Sequence, residues 1–169
     1  MRLSNRLLAI VIVTLGLSLV AISCAEGKGV SASLVPSPEE IVRGEQFEIK
    51  VWVEPVERGV SAGEISVSFD PEAMQTVNIE PGELLGEDPL LGISNIDNDF
   101  GTIRYSLARI GETKAPTQAA AFAVISFQVL ESAPTGDYQL TLTAIGLANE
   151  DFEDITGVKV EGASIKISP

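Results

Sequence analysis

The clearest alternation in the chain lies between Gly63 and Phe69. Ile65, Val67 and Phe69 interleave with Glu64, Ser66 and Ser68. That is the period of a strand with one dry and one wet face. Asp70-Pro71 ends it, because proline donates nothing to a ladder. The dry row predicts a core contact, and the small polar row makes a candidate docking surface. The same period recurs in Gln46 to Glu54, where Phe47, Ile49, Val51 and Val53 oppose Glu48, Lys50 and Trp52. It recurs in Thr102 to Ala108, with Ile103, Tyr105 and Leu107 inward and Thr102, Arg104 and Ser106 outward. Tyr138, Leu140, Leu142 and Ala144 form one face of another strand.

Weaker runs at Val30–Val35, Ile93–Ile96 and Val158–Ile167 read as strands, the last interrupted near Gly162. Ala73 to Glu80 reads as one helical turn followed by a strand, or as a strand throughout. Ala119 to Leu130 is apolar at both parities, which predicts a central strand covered on both sides. Asp97-Asn98-Asp99-Phe100-Gly101 predicts a hairpin turn, its Asx side chains bonding the local backbone and Gly101 taking positive φ. About nine short strands separated by Gly/Pro turns predict an all-β sandwich.

The first two dozen residues fall outside that pattern. Arg2 and Arg6 precede an apolar run from Leu7 to Ile22, shorter than the roughly 20 residues a spanning helix prefers. Ala21-Ile22-Ser23-Cys24 closes it as a cleavage-like site. The stretch resembles a bacterial lipobox, which implies acylation of Cys24, although Ala21 replaces the more usual leucine. An ordinary signal peptide with an incidental cysteine and an uncleaved membrane anchor are the alternatives. The expected organisation is a signal or anchor over 1–24, a linker over 25–29 and one domain over 30–169.

Cys24 is the sole cysteine, so no internal disulfide staples the domain. Its roughly 145 residues can bury an adequate core without one. The 11 basic residues fall to 9 once Arg2 and Arg6 are set aside, against 24 acidic ones. Such a surface repels nucleic acid and anionic lipid. Histidine is absent, which removes the commonest general base and metal ligand. No Gly-x-Ser-x-Gly elbow, metal-ligand cluster or phosphate loop is present, and the many carboxylates show no convergence. Asp97-Asn98-Asp99 offers too few oxygens for calcium, which takes six to eight. No enzymatic activity and no cofactor are expected.

Several blocks, in order from Val30 to Ile167, resemble the cohesin domain, the module that captures dockerins in cellulosome-type assemblies. They are Gly44-Glu45-Gln46-Phe47-Glu48-Ile49, the segment Phe69-Asp70-Pro71-Glu72-Ala73-Met74 running on to Ile79-Glu80-Pro81-Gly82-Glu83-Leu84-Leu85, Gly101 to Ala108, Phe122 to Val129, Ala133-Pro134-Thr135-Gly136, Ala148-Asn149-Glu150-Asp151-Phe152 and Gly162-Ala163-Ser164-Ile165. The resemblance implies a nine-stranded jelly-roll β-sandwich that binds a dockerin-containing protein, with any calcium on the partner. It implies a partner-binding face that includes the strands at Glu64–Phe69 and Thr102–Ala108.

On that resemblance Glu64 sits where an acidic contact is frequent and Ala62 where an amide is common. Arg109 falls where many members carry a carboxylate, Ser106 where a larger apolar contact is common, and Phe152 where a bulky side chain packs on the partner. From the residues alone, Glu64, Ser66, Ser68, Arg104 and Ser106 make a flat wet patch if their strands are neighbours, or an ordinary solvated face. Phe152, between Asp151 and Glu153, is a partner contact or a cap on the core. The alternative function is a carbohydrate-binding module that takes polysaccharide, for which Trp52 and Phe152 are the available rings.

Overall fold

The computed structural model describes residues 29–111 and 114–169. The expected signal or anchor over 1–24, Cys24 with it, and all of the linker except Gly29 lie outside the described residues. Among the described residues every regular element is a strand: β1 Ser31–Ser37, β2 Glu40–Val42, β3 Gln46–Glu54, β4 Ala62–Ser68, β5 Met74–Pro81, β6 Leu90–Asp97, β7 Thr102–Ala108, β8 Ala120–Val129, β9 Gly136–Ala148, β10 Lys159–Glu161 and β11 Ala163–Ser168. They form two sheets. One has five strands in the order β10-β1-β3-β8-β5, the other six in the order β2-β11-β9-β4-β7-β6.

The predicted sandwich is present, with eleven strands where nine were expected. Both additions arise where the chain changes sheet. The run read as one interrupted strand divides at Gly162. β10 pairs with β1 in the five-stranded sheet, and β11 pairs with β9 in the six-stranded sheet. At the other terminus Pro38 ends β1, and β2 crosses to pair in parallel with β11. Ala73–Glu80 resolves into a turn followed by β5.

Alternation builds the core. Phe47, Ile49, Val51 and Val53 of β3 are buried, as are Ile65 and Val67 of β4 and Ile103, Tyr105 and Leu107 of β7. Phe127 of β8 joins the two layers. Its ring stacks on Phe47 at 5.4 Å and meets Phe69, just past β4, edge-on at 5.2 Å. Such aromatic pairs add to the stabilisation that burial provides.

The expectation that β8 is covered on both sides needs correcting. Val124, Ser126 and Gln128 are half-exposed on the outer face. The apolar run of mixed parity reflects a bulge instead: Val51 pairs with Ala123 and Trp52 with Ala121, leaving Phe122 unpaired. A bulge brings consecutive residues toward one face, and the Phe122 ring reaches the opposite sheet. A Cβ on Gly63 would stand 2.8 Å from Phe122 Cε2 and 2.9 Å from Leu147 Cδ2. Glycine at this inward position of β4 is what admits the ring.

The turn after β6 forms as its residues predict. Asp97 Oδ1 accepts hydrogen bonds from the amides of Asp99 at 3.1 Å and Phe100 at 3.0 Å, and Gly101 has φ +63°. Asn98 faces the other sheet. Its Oδ1 accepts from the Thr76 amide at 2.8 Å, and its Nδ2 donates to the Thr76 carbonyl at 3.0 Å. The pair ties the turn to the edge strand β5 where that strand bulges at Val77.

Candidate functional site

The outer face of β9-β4-β7-β6 is an ordered array. Pairing aligns Ala148, Ala62, Ala108 and Leu90 in one row across the four strands. The next row holds Gly146, Glu64, Ser106 and Ile93, and the third Ala144, Ser66, Arg104 and Asn95. The fourth holds Thr141, Ser68, Thr102 and Asp97. The strands are therefore the neighbours that a flat patch required, and five of the predicted residues, Glu64, Ser66, Ser68, Arg104 and Ser106, share one surface. Alanine, serine and glycine dominate its floor, so a partner can approach close to the backbone.

Apart from Asp97 in the last row, the charge on this floor lies in one pair. Arg104 Nε donates to Glu64 Oε1 at 2.7 Å, diagonally across β7 and β4. The hydrogen bond to Glu64, reinforced by its charge, raises the guanidinium pKa above its ordinary value. Both side chains are largely exposed, so the pair is worth little to stability. It fixes the positions of two charges in the middle of the array.

Ser106 has a second task. Its hydroxyl accepts the Ile93 amide at 2.8 Å, where β6 bulges at Gly92. The oxygen seats the edge strand as well as lying on the face. Glycine at 92 leaves room for this hydroxyl, because a Cβ added there would stand 2.6 Å from Ser106 Oγ.

At the Ala62 end the array dips into a shallow, mostly apolar depression of about 370 Å³. Leu90, Ala62, Ala108, Leu147 and Ala148 line it, with Glu64 and Asp154 at its polar edge. Sequence reading missed this hollow. Its alanines carry no chemical signal, and Leu90 stood in a run without clear alternation. Only the register of four strands places them side by side.

Phe152 stands beyond the same end, in the loop that follows β9. It is 82% exposed and has φ +62°. It does not fold back over the core. Positive φ is uncommon for a bulky residue, and the loop is braced to hold it. Asn149 Oδ1 accepts from the amides of Asp151 and Glu153, both at 2.9 Å, and Ala148 bridges Asp154.

Arg109 is separate from the array. It follows Ala108 and donates its amide to the Ser61 carbonyl at 2.7 Å. It lines another hollow, with Glu83, Leu84, Ile110 and Lys114. Trp52 lies on the outer face of the other sheet, half-buried, paired with Ser33 and flanked by Ala121. Among the described residues, no group of three or more Cys, Asp or Glu side chains is placed to hold a metal.

The profile of the cohesin domain matches residues 32–167. The chain is 26% identical over 134 residues to cellulosomal-scaffolding protein A of Acetivibrio thermocellus, an alignment covering 70% of this chain and 7% of that much longer protein. The fold superposes on a type II cohesin domain from the cellulosome of Acetivibrio cellulolyticus with TM-score 0.70 at 16% identity, covering 83% of this chain and 95% of the other. It superposes on the type I Coh-OlpA–Doc918 cohesin–dockerin complex of Clostridium thermocellum with TM-score 0.69 at 15% identity, covering 83% and 100%. A non-cellulosomal cohesin from the archaeon Archaeoglobus fulgidus gives TM-score 0.67 at 13% identity, covering 84% and 93%.

Proposed function

The chain belongs to the cohesin domain family, and on that premise we propose that it is a non-catalytic module that binds a dockerin-containing protein through the outer face of β9-β4-β7-β6. The observation that carries the reading is the row geometry: a floor rich in small side chains, one fixed Glu64–Arg104 pair, and an apolar depression at the Ala62–Ala148 end, where the loop carrying the exposed Phe152 leaves β9. Small residues lose little rotamer freedom when covered, so more of the contact energy survives as affinity. An interface of ordinary size, roughly 800 Å² per partner with its energy in a few anchors, fits such a face. Glu64 and Arg104 set electrostatic complementarity and partner choice. Arg109 contributes only if the partner reaches past the strand end.

Assembly or adhesion at the cell surface fits such a module as readily as a role in polysaccharide breakdown. The N-terminal segment would tether the module to a membrane, by acylated Cys24 or as an anchor, and place it outside the cytoplasm. Calcium belongs to the partner in this reading.

The test is capture by the immobilised chain, with calcium and then with chelator. Retention of a dockerin-containing protein, lost on chelation, supports the proposal. Retention on polysaccharide beads with no protein captured would move the function to carbohydrate binding, for which the half-buried Trp52 is the one available indole.

A further inference from the structure

Among the described residues four strands lie at sheet edges: β10 and β5 of one sheet, β2 and β6 of the other. An edge offers unpaired amides and carbonyls to any other strand, and proteins ordinarily blunt it with charge, proline or brevity. Three of these edges are blunted. β10 and β2 have three residues each; the first carries Lys159 and Glu161, the second Glu40 in its ion pair with Lys166. β5 ends on Pro81, and Asn98 already occupies both the amide and the carbonyl of Thr76. β6 is different. It runs for eight residues, and from Leu90 to Ile96 it has neither a charge nor a proline.

The register of β7 fixes which backbone groups of β6 are free. The Arg109 amide donates to the Ser61 carbonyl, so Leu107, Tyr105 and Ile103 bond toward β4, and Ser106, Arg104 and Thr102 toward β6. Opposite the latter three lie Ile93, Asn95 and Asp97. Ser94 and Ile96 therefore aim their amides and carbonyls away from the sheet. Large apolar side chains stand at both ends of the strand. Leu90 and Leu91 are 59% and 52% exposed at its start, and Phe100, in the turn past its end, is 79% exposed.

We propose that β6 pairs antiparallel with β6 of a second copy of this chain, about a two-fold axis at Asn95. This register sets Ser94 of one copy opposite Ile96 of the other, and the two exchange amide–carbonyl hydrogen bonds on each side of the axis. Asn95 faces its own counterpart at a non-hydrogen-bonded position, where Cα atoms stand about 4.5 Å apart. Its neutral amide both donates and accepts, so it can bond an identical group. Asp97 falls opposite Ile93, so no two carboxylates meet across the pair. Further along, the turn carrying Phe100 of each copy comes alongside Leu90 and Leu91 of the other. The strand is thus complementary to itself when reversed, at its backbone, its centre and its ends, and that match selects a second copy as the occupant. The pairing uses the edge of the sheet, not its outer face, and is independent of the dockerin reading. Each chain has a formal net charge of −13, and one strand with two turns makes less than a standard interface. The association is therefore weak, and salt strengthens it by screening the repulsion.

The test is sedimentation of the full chain in detergent over a range of concentrations. Wild type shows a reversible monomer–dimer equilibrium that shifts toward dimer as ionic strength rises. Asn95→Lys sets two like charges at the axis and weakens the association about tenfold. Ser94→Pro removes an amide that the fold leaves unused, a change that edge strands tolerate, and abolishes pairing with the thermal midpoint unchanged. If that proline unfolds the edge, Asn95→Lys decides alone, since the Asn95 side chain is exposed. In a Cys24→Ser background and under a mild chemical oxidant, Asn95→Cys gives a covalent dimer, because paired cysteines at that position have the spacing a disulfide needs. Val77→Cys, exposed on the blunted edge β5, does not. Every variant carries the same N-terminal segment in the same detergent, so differences among them belong to the edge. A chain that stays monomeric at every concentration overturns the inference. So does a dimer that Asn95→Lys leaves intact, or equal cross-linking at positions 95 and 77.

Discussion

The two sheets of this sandwich bury equivalent inner faces and present unlike outer ones. The outer face of β1-β3-β8-β5 carries long polar side chains, with Gln46, Glu48 and Lys50 on β3 and Gln128, Gln75 and Glu80 beside them. The outer face of β9-β4-β7-β6 is rich in alanine, serine and glycine, with one long ion pair at its centre and larger side chains mainly on the edge strand β6. Both are wet, and neither is a greasy patch. The difference is what happens when a partner arrives. Covering the first face freezes many flexible side chains, each costing about 0.5–1.5 kcal/mol, and strips water from separate charges. Covering the second freezes fewer. A docking surface can thus be marked by the smallness of its side chains as well as by hydrophobicity.

The sharpest way to break this contrast is to remove what the two faces share. Phe127 holds the layers together, so Phe127→Ala should cost about 3–5 kcal/mol. Denaturant unfolding measures the loss, and binding should fall only in proportion to the unfolded fraction. A bulky residue in the middle of each face separates them next. Ser66→Trp should lower affinity for the captured partner by about a hundredfold, the loss of a central anchor contact, and Ser126→Trp on the opposite sheet should leave it unchanged. Equal losses from both would mean that smallness does not choose the face.

Strain at the anchor loop gives a smaller effect. Phe152→Gly removes a side chain from a left-handed backbone position, which costs about 1 kcal/mol. That variant should unfold at higher denaturant while binding more weakly, a trade between stability and recognition. A variant both weaker and less stable would show that the ring packs on its own domain.

The smallest effect is the titration of one buried phenol. Tyr105 is buried, and burial raises its phenol pKa above the ordinary value, with the charge of Glu80 adding to the shift. The raised value means that folding favours the neutral phenol. The stability it contributes is fully present below the ordinary tyrosine pKa of about 10, and is lost as pH climbs through the raised one. Absorbance titration should show one of the two tyrosines ionising late, with unfolding only at strongly alkaline pH. Phe substituted at Tyr105 should remove that late component.

Much of this was legible in the residues. Alternation in Gln46–Glu54, Gly63–Phe69 and Thr102–Ala108 assigned the strands and their inner faces, and Asp97–Gly101 announced its own turn. The polar row of Glu64, Ser66, Ser68, Arg104 and Ser106 was readable too, though only as a row. The depression at Ala62, Ala108, Ala148 and Leu90 was not, since an alanine says nothing until its neighbours are known. Phe100 read simply as part of a hairpin turn.

The sequence by itself determined the period, and with it which side of each strand is dry, because successive side chains on a pleated backbone must point to opposite faces. It also determined where strands stop, through proline, glycine and Asx residues that act on their own backbone. The tertiary structure alone decided which strands became neighbours, where β8 bulged to send Phe122 across to Gly63, and on which sheet each side of the Gly162 break was placed. Those outcomes depend on contacts between residues far apart in the chain, and nothing in a local pattern carries the energy of a distant partner.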